Sequence, residues 1–284
     1  MRKKPVLAVV AATLAVLILV SAAVGGLMVS GGLYSVAATE QHFQPTFTLL
    51  QTAMRQSVRL RARGIEAPDL NDDAVVRRGA ACFRDNCVQC HGAPGIAQDN
   101  IGKSMQPLPG PLVDARRHWQ PRELYWITRQ GIRMSGMPAW KHRLSEGELW
   151  SVVAFLQRLP DLNARQYAAL VEQSTAVPHC GAEWHALMAE GPGDPDRGKS
   201  ALFHYACRAC HIIPGVTGAA VHVGPSLDGI GRRTTIAGTL PNTPDNLALW
   251  LRETQKVKPM TAMPQLGVAR QDARDIAAYL ATLR

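Results

Sequence analysis

The sequence predicts an all-α protein: one N-terminal transmembrane helix followed by two small helical domains of a single design. Three observations predict it. An uncharged, mostly apolar run, residues 6–30, stands directly behind the basic Arg2, Lys3 and Lys4. An ordered set of short motifs then occurs twice in the remainder of the chain. Each set closes on a helical pattern, at residues 146–159 and 270–283. One order of elements used twice argues for two copies of one unit, and 284 residues suffice for about two ordinary domains.

The apolar run is long enough to cross a hydrocarbon core, which takes roughly 20 residues as a helix. A cleaved signal peptide is the competing reading, with small residues at Ser35, Val36, Ala37 and Ala38 for a peptidase. Signal cores are shorter, roughly 7–15 residues, so the length favours a retained anchor. Under either reading the basic N-terminal side places the rest of the chain outside the cytoplasm. The expected location is the inner membrane, single-pass, with the soluble domains facing the periplasm. In that oxidising space disulfides form.

We place the anchor, or signal segment, at 1–35 and a linker at 36–73. Within the linker, 47–63 reads as a helix, with Leu49, Leu50, Ala53, Met54 and Val58 near one face. Arg55, Arg59, Arg61 and Arg63 crowd its end. A basic helix facing a membrane surface or a partner is one reading, and a solvated helical face ending at Gly64 the other.

The first domain, 74–162, runs from Arg78-Gly79 through Phe83 to Cys87-Val88-Gln89-Cys90-His91, then Gly110-Pro111-Leu112 and Gly136-Met137-Pro138. A connecting segment, 163–193, carries a helical stretch at 164–173. The second domain, 194–284, repeats the order: Arg197-Gly198, Phe203, Cys207-Arg208-Ala209-Cys210-His211, Gly224-Pro225-Ser226-Leu227 and Ala262-Met263-Pro264. The net charge is +9. Without a nucleic-acid-binding motif, that charge suggests an acidic partner or anionic lipid.

Two cysteines three positions apart with histidine immediately after are the pattern of covalent haem c attachment. The thiols of Cys87 and Cys90, and of Cys207 and Cys210, add to haem vinyl groups as thioethers. His91 and His211 then reach the iron from one side. A CxxC redox pair needs no histidine. A zinc ribbon would bring both CxxC pairs to one metal, whereas a full domain pattern follows each pair here. Two covalently bound haems c are therefore expected. For the sixth ligand the candidates are Met137 and Met263, each in a Met-Pro pair at a matched position, with Met134 and Met260 as rivals.

CxxCH, Gly-Pro, Met-Pro and a closing helix in this order resemble class I cytochromes c, over about 73–159 and 194–284. The resemblance implies two cytochrome c domains in which a helix at 75–83 crosses the closing helix, with Gly79 and Phe83, and Gly198 and Phe203, at the crossings. It implies middle helices at 119–132 and 244–253. It also implies that Pro111 and Pro225 lie against His91 and His211, where a backbone carbonyl orients the imidazole. The linker 92–109 is longer than its second counterpart. The whole build is similar to membrane-bound diheme cytochromes associated with terminal oxidases.

Cys82 and Cys180 remain. A disulfide tying the first domain to the connecting segment is the simplest use; a sulfur ligand from Cys180, or two buried thiols, are the others. His118, His142, His179, His185, His204 and His222 are further imidazoles outside the repeat logic. Trp119, Trp126, Trp140 and Trp150 are expected around the first haem, and Trp184 and Trp250 in the second domain. No catalytic residues are expected. The predicted function is single-electron transfer from a membrane or periplasmic donor, such as a quinol-oxidising complex or a dehydrogenase, to a terminal oxidase or other acceptor. A diheme peroxidase or thiosulfate dehydrogenase, a dehydrogenase's cytochrome subunit, and a gas sensor are the alternatives.

Overall fold

The computed structural model describes residues 3–174, 180–181 and 191–284. Helix α1 (Lys3–Ser30) contains the apolar run. Its stretch Pro5–Ser30 has mean hydropathy 2.8, none of it buried against the rest of the chain, and is long and apolar enough to cross a membrane. After it, α2 (Gln44–Ala62) begins with a proline in its first turn, where a missing N–H costs nothing. Only Val58 and Ala62, near its end, are fully buried.

The first domain opens with α3 (Asp73–Asn86), whose N-terminus is capped by the Asp72 carboxylate accepting the Ala74 N–H at 2.7 Å. The short helices α4 (Val88–His91), α5 (Asn100–Lys103) and α6 (Ala115–His118) lead to α7 (Pro121–Gln130) and the closing helix α8 (Glu146–Arg158). A Ser145–Glu148 capping box starts α8. Helices α3 and α8 cross at Gly79, where any Cβ would collide with the Ser151 carbonyl. Four residues on, Phe83 is fully buried, its ring 5.0 Å from that of Phe155. Helix α9 (Ala164–Gln173) packs back on α3 and adds Tyr167 to the same core. Cys82 is disulfide-bonded to Cys180, which ties the connecting segment to α3.

The second domain repeats this plan with α10 (Pro195–His204), α11 (Pro244–Arg252), the single turn α12 (Thr254–Val257) and the closing helix α13 (Arg270–Thr282). It adds a small antiparallel hairpin, β1 (Thr235–Ile236) with β2 (Leu240–Pro241). Asp194 caps α10 by accepting the N–H groups of Asp196 and Arg197 at 2.9 and 3.0 Å. Helix α10 crosses α13 at Gly198, against the Asp275 carbonyl. Phe203 is not at this crossing. The residue one turn beyond the glycine is Leu202, which is buried, whereas Phe203 points about 100° further round the helix. It is 43% exposed and lies beneath the Arg208 guanidinium, 4.9 Å from the ring centre.

Among the described residues the two domains are in contact. The His142 ring lies 3.8 Å from that of His204, Arg143 donates to the His204 carbonyl at 3.1 Å, and its guanidinium covers the Tyr205 ring at 4.6 Å. Burial, followed by the neighbouring imidazole and cations, pushes His142 down to about 3, and burial with Lys141 and Arg143 pushes His204 down to about 4. Both rings are therefore neutral near pH 7.

Candidate functional site

Each CxxCH motif forms a tight turn directly after the first helix of its domain. In the first, the N–H groups of Cys90 and His91 donate to the Cys87 carbonyl at 3.1 and 2.9 Å. In the second, those of Cys210 and His211 donate to the Cys207 carbonyl at 3.3 and 3.0 Å. The second turn is entered through Ala206 in the left-handed region, φ +54°. Cys82 and Cys180 are bonded to each other, whereas Cys87, Cys90, Cys207 and Cys210 form no disulfide. Burial pushes the Cys87 thiol up to about 12 and the Cys207 thiol up to about 11, so both stay neutral.

Both imidazoles are fixed through one nitrogen. His91 Nδ1 lies 2.8 Å from the Gly110 carbonyl oxygen and His211 Nδ1 lies 2.7 Å from that of Pro225. A carbonyl only accepts, so Nδ1 carries the proton in each ring and Nε2 keeps a lone pair for a metal. Burial lowers the His91 pKa, against the opposing pull of the Gly110 bond, and so favours the neutral, ligating form. Pro225 fulfils its expected role. At the first site the acceptor is Gly110, the residue before Pro111, so the register shifts by one. Gly224 packs so close to His211 that a Cβ there would sit 2.5 Å from the ring.

The Met-Pro loops also match. Met134 and Met260, each three residues before the proposed ligand, adopt the left-handed region with φ 61°. They are 92% and 96% exposed, directed into solvent. Met137 and Met263 are half-buried, and Met263 packs on the core of the second domain. Gln255 holds that loop by donating to the Thr261 and Met263 carbonyls at 2.9 and 2.7 Å. In the first domain the Ile132 N–H donates to the Met137 carbonyl at 3.1 Å.

One further thioether escaped the repeat comparison. Met105 lies in the long linker 92–109, and its sulfur would be 2.5 Å from a Cβ placed on Gly136. That linker folds back on the CxxCH turn: Gly102 rests on the Cys90 backbone, and the Gln98 amide donates to the Pro109 carbonyl. The second domain has no counterpart to α5, so matched positions could not reveal Met105.

The other imidazoles fall elsewhere. His118 is paired with Asp114 at 2.9 Å, His222 is exposed, and His142 and His204 meet between the domains. Trp150 stacks on Tyr125 with ring centres 4.1 Å apart, and Trp119 lines a groove beside α2. Trp250 is buried in the second core. His179, Trp184 and His185 lie outside the described residues.

Paired cysteines, adjoining histidines held at Nδ1, and half-buried methionines at matched positions form a donor set that fits haem c. Comparison with known proteins agrees. Residues 74–156 match the family described as cytochrome c oxidase, cbb3-type, subunit III, and residues 196–284 match the family described as cytochrome c. A cytochrome c oxidase subunit 2 of Alkalihalophilus pseudofirmus is 33% identical over 90 residues, 31% of this chain and 25% of that protein. The cbb3-type cytochrome c oxidase subunit CcoP of Cereibacter sphaeroides is 31% identical over 90 residues, 31% of this chain and 29% of that protein. The chain thus spans under a third of the length of these relatives. It carries two cytochrome c-type domains in tandem behind one apolar N-terminal helix.

Proposed function

We propose that the chain is a diheme electron carrier, anchored by α1, that passes single electrons from a membrane or periplasmic donor to a terminal oxidase or other acceptor. The observation that carries this reading is the doubled ligand set. His91 and His211 each present Nε2 after Nδ1 is bound by a carbonyl, and each domain offers a half-buried methionine at the same place in the repeat. Cys87 and Cys90 would attach one haem c, and Cys207 and Cys210 the other. A bound haem c supplies a reversible one-electron couple. Met137 and Met263 would each supply a second protein ligand to the iron, and an iron held by two protein side chains would leave no place for a substrate. Similarity to oxidase subunits supports an oxidase as the acceptor. The basic start before the apolar helix supports a periplasmic orientation for the two domains.

Carbon monoxide added to the purified, fully reduced protein tests this reading. Unchanged visible spectra at both haems are expected. Ready binding at one haem would instead make a peroxidase or sensor the better account. Met263→Ala should open the second site to the gas and Met137→Ala the first. If Met105→Ala opens the first site and Met137→Ala does not, Met105 is the ligand.

A further inference from the structure

The seam between α2 and the first domain forms a basic groove that electron transfer does not use. A cavity of about 570 Å³ is lined by Arg59 on α2 and Arg63 just past its end, and by Arg117 on α6, Trp119 after it and Arg122 at the start of α7. Nearby charges are partly neutralised. Arg116 is held by Asp161 through two bonds of 2.8 Å, and Arg117 pairs with Asp114 at 3.2 Å. The groove's acid, Glu123, is turned to the Gln120 N–H at 2.9 Å. No acidic partner among the described residues meets Arg59, Arg63 or Arg122, and the Arg122 Nε is buried with no acceptor. Three uncompensated guanidiniums, one of them with a buried Nε lacking an acceptor, call for an anion with several acceptor oxygens, as in a phosphate.

The groove's place in the chain selects the source of that phosphate. Only residues 31–43 separate α1 from α2, a tether of at most ~45 Å at the extended limit. No acid occurs between Gln41 and Gly64. On the same segment Phe43, Leu49, Leu50 and Leu60 are more than half exposed. Apolar side chains interleaved with arginines, with an indole at the groove, are what an interfacial helix offers to anionic lipid. We propose that this groove binds the phosphate of an anionic phospholipid and so seats the first domain against the membrane surface. The inference rests on reading α1 as a membrane anchor.

Native mass spectrometry of the full-length holoprotein in detergent, titrated with phosphatidylglycerol or phosphatidylcholine, tests it. Selective retention of phosphatidylglycerol is expected. At about fivefold per charge, Arg59→Gln with Arg63→Gln should weaken it roughly thirtyfold. Both side chains are exposed, so the melting temperature should hold. Equal retention of the two lipids, or retention unchanged in the double variant, overturns the proposal. Displacement by an equal concentration of inorganic phosphate also overturns it, in favour of a free-phosphate site. So does a variant that keeps phosphatidylglycerol but loses a co-purifying membrane protein, which would make the groove a protein dock. Extraction of the chain from membranes by alkaline carbonate would instead refute the anchor, and is read separately.

Discussion

The two cytochrome c domains use the same helix crossing and the same cysteine, histidine and methionine motifs but support them differently. At the crossing, the arginine before each glycine needs an acid on the closing helix. In the second domain Arg197 donates to the buried Asp275 at 2.8 and 3.1 Å, and Asp275 also accepts from Asp194 N–H and Gln271. Burial would raise the Asp275 pKa, but these bonds outweigh it and hold the carboxylate below its ordinary range. In the first domain Ser151 occupies that place, and Arg78 approaches Glu148 one turn earlier, at 3.8 Å. Glu148 also accepts the Gly181 N–H at 2.8 Å, beside the Cys82–Cys180 bond. Both closing helices accept N–H groups from the segment that precedes the second domain, and among the described residues only the first domain adds a sulfur bridge. The shared features are those that fix the imidazole, the thiols and the methionine. Beyond the shared crossing glycine, the ion pairs that hold the helices together have diverged.

Alanine at the crossings puts the sharpest stress on this comparison. Gly79→Ala and Gly198→Ala each drive a Cβ into backbone of the closing helix, which costs about 3 kcal/mol or more despite alanine's better helix propensity. Thermal melts followed at each haem should show loss in the altered domain alone. Loss in both from either variant would mean that the His142–His204 contact couples them.

Removing the bridge comes next. Cys82→Ser with Cys180→Ser should destabilise the first domain by about 2–4 kcal/mol and leave the second unchanged. The measurement is denaturant unfolding monitored at the two haems. Equal loss in both domains would show that the bridge acts on the whole chain.

The smallest expected effect lies at the contact between domains. His142 and His204 have folded pKa values below the ordinary 6.5, so their neutral forms favour the packed state. Their contribution is complete above about pH 6.5 and is lost as pH falls toward 4. Both rings are partly solvated, so the effect should be modest. Small-angle scattering should detect a slight separation of the domains on acidification. His204→Phe, which keeps the ring and removes its charge, should reduce that response; an undiminished response would place its origin elsewhere.

Local signals gave the element order. Helical patterns marked the helices at 146–159, 164–173 and 270–283, the resemblance to class I cytochromes c implied the one at 244–253, and the structure ends each within a residue of its expected bounds. The helix at 119–132 starts later, at Pro121, because Trp119 and Gln120 are extended before the proline. The hairpin at Thr235–Pro241 went unread, since two-residue strands carry no period.

By itself, the sequence determined that there are two domains of one kind, where their thiols and imidazoles stand, and that an apolar helix precedes them. Those properties live in neighbouring residues, whose spacing is covalent. Tertiary structure alone decided that Gly110 rather than Pro111 holds His91, and that Leu202 rather than Phe203 fills the second crossing. It also decided that Met105 lies against Gly136 and that three arginines share one groove. It closed Cys82 on Cys180 where the sequence left other uses open. Each of these depends on where a distant segment returns, and a shift of one residue turns a helical side chain by about 100°.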